Sequence, residues 1–117
     1  MKPHLFVDVD DTLIRWGKEY GNPPYSPNLQ VIHFIRTWRE FHKDGHVTVW
    51  STGGKDWAAE NASKYIPGLY DDCMTKHPRM LALGEIYLDD DPLPCYKSAT
   101  VHPDALDYGL RDTWRAM

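Results

Sequence analysis

Asp8, Asp10 and Asp11 crowd together directly after the apolar run Leu5-Phe6-Val7, with Thr12 behind them. On an extended strand alternate side chains share a face, so Asp8 and Asp10 project together if the strand runs on regularly. Two close carboxylates repel each other unless a proton or a cation intervenes. A hard divalent cation with oxygen ligands, such as Mg²⁺, resolves that conflict. A second acidic run, Asp89-Asp90-Asp91, follows the strand-like Glu85 to Leu88 and can complete a coordination sphere. A single acidic pair is most often a solvated turn or a helix cap. Two such clusters at the ends of buried-type strands point to a shared site.

Ser51-Thr52-Gly53-Gly54 follows the β-rich segment His46 to Trp50. A hydroxyl at a strand end, followed by glycine amides, suits phosphate oxygens. Lys76, just before His77-Pro78, adds a compact cation that can neutralise phosphate charge, although a lone lysine carries little weight by itself. The six histidines show no zinc-like spacing. Neither Cys73 nor Cys95 has the phosphate-binding loop that a cysteine phosphatase needs. Both stand outside any CxxC pair, which favours reduced thiols and a cytoplasmic protein.

The elements that must position these groups alternate along the chain. His4 to Val9 reads as a buried strand. Thr12 to Tyr25, punctuated by Gly17, Gly21, Pro23 and Pro24, reads as a loop or tight hairpin. A helix follows, with Ser26 as its cap and Pro27 in its first turn. Its apolar positions are Val31 or Ile32, Ile35, Trp38, and Phe41 or His42, and Gly45 marks its stop. His46 to Trp50 is a strand and Lys55 to Tyr65 a second helix, ended by Pro67-Gly68. Tyr70 to Thr75 is a short strand, Pro78 to Leu83 a short helix, Glu85 to Leu88 a strand and Ala99 to His102 a last strand. This alternation predicts a mostly parallel sheet with helices on both faces, a three-layer α/β/α sandwich. In such sheets ligands bind at the carboxyl ends of the strands, so the distant clusters can meet. The 117 residues suit one domain. A formal net charge of -4 argues against an evenly basic nucleic-acid surface. No stretch has the length of a membrane span.

Four segments resemble the motifs of the haloacid dehalogenase superfamily, in order and over most of the chain. LFVDVDDTL is similar to its first motif, a hydrophobic strand followed by DxDx(T/V)(L/V). Ser51 after HVTVW resembles the second, Lys76 in TKHP the third, and EIYLDDD the fourth. The resemblance implies a Rossmann-like core and a Mg²⁺-dependent phosphatase. Asp8 is then the nucleophile that becomes an aspartyl-phosphate, and Asp10 the general acid and base, its backbone carbonyl also facing the metal. Asp89 and Asp90 join Asp8 and Asp10 around the metal, with Asp91 leaving the register open by one residue. Ser51, Thr52 and Lys76 hold the phosphoryl oxygens, and Thr12 supports the turn after the nucleophile. Neither point where the family inserts a cap domain has room for one, which implies a capless enzyme with an open site and a phosphorylated, bulky substrate. The flap, about residues 13 to 25, carries Arg15, Trp16, Lys18, Tyr20 and Tyr25, cations interleaved with aromatics that can grip phosphate or stack a ring. A phosphatase for nucleotides or nucleic-acid ends is an alternative. A catalytically silent binding module is another, disfavoured because Asp8, Asp10, Ser51, Lys76 and Asp89 are all present.

Overall fold

A computed structural model describes residues 3–16, 25–76, 86–89 and 100–103. Among these residues the first strand, β1 (His4–Asp8), lies at the centre of a five-stranded sheet. On one side it pairs with β4 (His46–Ser51), which pairs with β5 (Asp72–Thr75). On the other side it pairs with β6 (Ile86–Leu88), which pairs with β7 (Thr100–Val101). All four pairings are parallel. A separate antiparallel pair, β2 (Ile14–Trp16) with β3 (Tyr25–Pro27), forms the two sides of the expected hairpin.

Helix α1 (Leu29–Phe41) connects β3 to β4, and α2 (Lys55–Tyr65) connects β4 to β5. Leu5 and Val7 of β1 and Val47 and Val49 of β4 form one buried cluster with Val31, Ile32, Ile35 and Trp38 of α1 and Ala58 and Ala62 of α2. Both crossovers step in the same direction along the sheet. Right-handed connections therefore set both helices on the same face. Alternation turns Phe6, Trp50 and Tyr87 to the opposite face, where they are buried and in ring contact, Phe6 to Trp50 at 4.4 Å and Phe6 to Tyr87 at 5.2 Å between centroids.

The start of α1 departs from the expected cap. Asn28, not Ser26, is the N-cap, and its Oδ1 accepts hydrogen bonds from the Gln30 and Val31 N–H groups. Ser26 and Pro27 are taken by β3, where they pair with Arg15 and Ile14. At the other end Phe41 is 80% exposed, so the apolar stripe stops at Trp38. Gly45 works through space rather than through a positive φ. A Cβ there would lie 2.7 Å from the Trp38 ring. The second helix begins and ends where expected, whereas β5 starts two residues later than the expected Tyr70. The short helix expected over Pro78 to Leu83 lies outside the described residues. Among the described residues no helix is long and apolar enough to cross a membrane.

Candidate functional site

A parallel sheet delivers all its strand ends to one edge, and four of them carry the expected groups. Asp8 ends β1 and Ser51 ends β4, while Lys76 follows β5 and Asp89 follows β6. Val7 pairs with Leu88, so Asp8 and Asp89 leave adjacent strands at the same level. Ser51 pairs with Thr75, and the Lys76 N–H donates to the Ser51 carbonyl at 2.9 Å. These backbone contacts fix the four side chains relative to one another.

Asp8, Ser51 and Asp89 are all buried, and the Lys76 side chain is 10% exposed. Lys76 Nζ donates to Asp89 Oδ2 and lies 3.8 Å from Asp8 Oδ1. It also stands 5.8 Å from the centre of the Trp50 ring. Buried charges are tolerated when paired, and one ammonium here faces two carboxylates. Asp8 Oδ2 further accepts from the Thr12 hydroxyl at 3.2 Å, the turn-supporting part expected of Thr12.

The strand does not run on through Asp10. β1 ends at Asp8 and the chain enters a wide turn, in which the Leu13 N–H donates to the Asp8 carbonyl and the Ile14 N–H to the Val9 carbonyl. Asp11 takes a positive φ of 58° there, a conformation that aspartate tolerates. Asp10 is thereby released from the strand pleat. Its Oδ1 accepts from the Trp16 indole at 3.0 Å and the Trp57 indole at 3.3 Å.

Ser51 Oγ accepts from the Gly53 N–H at 2.9 Å, and its carbonyl accepts from the Gly54 N–H at 3.1 Å. A side chain at Gly53 would press on Ser51 Oγ and on Trp57. Gly54 follows at φ 112° as the N-cap of α2. Thr52 is exposed at the tip of this tight loop. The hydroxyl and the helix start thus sit together beside Asp8's strand.

In the hairpin, Trp16 pairs with Tyr25 and their rings lie 4.8 Å apart. Arg15 is buried rather than open to solvent, because it alternates to the other side of β2 from Trp16. Lys18 and Tyr20, together with Asp90 and Asp91, lie outside the described residues. Trp57 is a site residue that sequence reasoning missed. It carries no motif and reaches Asp10 only once α2 is docked on β4.

The donor types suit Mg²⁺. Asp8 and Asp89 are hard oxygen donors, buried beside each other and balanced by an ammonium. Among the described residues no cluster of three His, Cys, Asp or Glu side chains is close enough to hold a metal ion, so a full sphere would need ligands beyond Asp8 and Asp89. Burial pushes the Cys73 thiol up, with Asp72 adding to the effect, so a thiolate nucleophile is disfavoured there. No family model matches the chain, and no curated protein or solved structure does either.

Proposed function

We propose that this chain is a Mg²⁺-dependent phosphomonoester hydrolase of the haloacid dehalogenase type. In this reading residues 1–117 form one capless three-layer domain acting in the cytoplasm. The observation that carries it is the meeting of Asp8, Ser51, Lys76 and Asp89 at one edge of a parallel sheet, with Lys76 between the two buried carboxylates.

Asp8, the terminal residue of the central strand, attacks phosphorus and forms a carboxylate–phosphate bond as the ester bond breaks. Asp10 gives a proton to the departing oxygen. It then takes one from the water that attacks the same phosphorus and returns Asp8 as a free carboxylate. The Ser51 hydroxyl, the amides of the Thr52–Gly54 loop and Lys76 hold the equatorial oxygens, where charge accumulates. Asp8, Asp89, Asp90 and the Asp10 carbonyl would hold Mg²⁺, which would supply positive charge against the phosphoryl oxygens.

The purified chain should release phosphate from phenyl phosphate with Mg²⁺ and stop when a chelator is added. Asp8→Asn should lower that rate on the order of 10³-fold or more, as loss of a catalytic nucleophile does. Its melting temperature should stay within a few degrees, because the amide can still accept from Thr12. Full activity in Asp8→Asn refutes the covalent route. No phosphate from any of a broad panel of phosphomonoesters refutes hydrolysis altogether.

A further inference from the structure

Asp10 is held by two indoles, and a third ring packs against both of them, so three aromatic side chains from three elements gather beside it. Trp16 comes from β2, Tyr25 from β3 and Trp57 from α2. Both indole N–H groups donate to the same oxygen of Asp10. The two indole planes are within 24° of parallel with centroids 6.5 Å apart, and Tyr25 lies 4.8 Å from Trp16 and 6.2 Å from Trp57. Trp16 nevertheless stays 37% exposed. An indole that contributes so little to the core, placed beside an acid at a strand-end site, has the makings of a ligand wall.

The next step rests on the proposed hydrolase reading. A general acid must come within roughly 3 Å of the leaving oxygen. Trp16 Nε1 is itself 3.0 Å from the Asp10 carboxylate. The leaving oxygen therefore lies within about 6 Å of the Trp16 indole nitrogen, close enough for the first atoms bonded to it to reach the indoles. A ring attached directly to that oxygen fits this placement. A nucleobase is set further from its phosphate by the intervening sugar and fits it less directly.

We infer that Trp16, Tyr25 and Trp57 form a leaving-group subsite for aryl phosphomonoesters, in which the aromatic ring is bonded directly to the leaving oxygen. Trp57 and Trp16 also hold Asp10 in place, so each is a positioning residue as well as part of the wall. Offset or edge contacts between rings account for about tenfold in binding beyond the area buried.

The test compares phenyl phosphate with cyclohexyl phosphate, which has the same size without the π-face. Each is measured on the full chain and on Trp16→Leu, and the wild-type-to-variant ratio cancels the different intrinsic reactivity of the two esters. Trp16→Leu should lose about tenfold more kcat/KM on phenyl phosphate than on cyclohexyl phosphate. Trp16→Phe should recover most of the difference. Equal losses on both esters overturn the subsite while leaving hydrolysis intact.

A second readout does not depend on turnover or on the Trp16 variant folding. The Trp16 and Trp57 indole ¹H–¹⁵N signals are followed in Asp8→Asn with Mg²⁺ during titration with each ester. They should shift with phenyl phosphate and much less with cyclohexyl phosphate. Equal shifts, or none, overturn the inference. Selective shifts in Asp8→Asn, with a wild-type chain that hydrolyses no phosphomonoester, uphold the aromatic subsite and refute the hydrolase reading instead.

Discussion

Lys76→Met keeps most of the side chain's length and apolar contact and deletes one positive charge. That charge stands against Asp89 and 3.8 Å from Asp8, both buried. The variant leaves both carboxylates without the ammonium that they share. Removing one partner of a buried ion pair costs about 3–5 kcal/mol. The Lys76 side chain keeps a tenth of its surface exposed, which puts the expectation near the lower figure. With unfolding entropy of roughly 2.1 cal/mol/K per residue, a 117-residue chain loses about 4 °C in Tm per kcal/mol. The apo variant should therefore melt about 12 °C below wild type.

Mg²⁺ gives the same experiment a second arm. A divalent cation between Asp8 and Asp89 replaces the missing charge, and the variant, freed of the competing ammonium, should gain more from it than wild type does. At a hundredfold excess over Kd the gain is about 2.7 kcal/mol, which recovers roughly 10 °C of the loss. Thermal unfolding followed by circular dichroism, with chelator and with millimolar Mg²⁺, reads both arms. A Tm within about 3 °C of wild type in chelator would show that Lys76 does not hold the two carboxylates together. A Mg²⁺ shift no larger than the wild-type one would refute the assignment of the pair as metal ligands.

Gly45→Ala should cost about 1–3 kcal/mol, the usual penalty for overpacking, since the new methyl meets the Trp38 ring at 2.7 Å. A lowered urea midpoint with unchanged slope is the expected sign, and a wild-type midpoint would refute the close-approach account. Asp71 sets a pH dependence. Burial pushes its carboxyl up, but the Val47 N–H at 2.7 Å and the Arg39 guanidinium at 2.5 Å outweigh it, with His46 helping, and hold the group below its ordinary value. A depressed carboxyl stabilises the fold above its unfolded pKa, about 3.9, and loses that contribution as pH falls through the folded value. Asp71 is a third exposed, so screening trims its share to about 1 kcal/mol. Asp71→Asn should thus be less stable than wild type at pH 7 and converge with it as pH falls through the folded value, whereas parallel urea-stability curves over the acid range would count against the assignment.

Much of the scaffold is written locally. The run Leu5-Phe6-Val7, the β-branched His46 to Trp50 segment and the stretch Lys55 to Tyr65 each carry a period or propensity strong enough to read without neighbours. The placement of acids and a hydroxyl at strand ends was legible for the same reason. The cap of α1 was not. Ser26, Pro27 and Asn28 all suit a helix start, and the choice among them was made by the pairing of β3 with β2, a contact with residues 14–16. The burial of Arg15 and the exposure of Phe41 likewise depend on which faces other elements cover.

By itself, then, the sequence determined the α/β alternation and the chemical types brought to the strand ends, because both follow from short-range pattern. The tertiary structure decided how those groups meet. Parallel pairing of β1 with β4 and β6 brings Lys76 between Asp8 and Asp89, residues far apart in the chain. The wide turn after Asp8 takes Asp10 out of the strand, and the docking of α2 supplies Trp57 to hold it. No local signal encodes these contacts, because each depends on where separate elements come to rest against the same sheet.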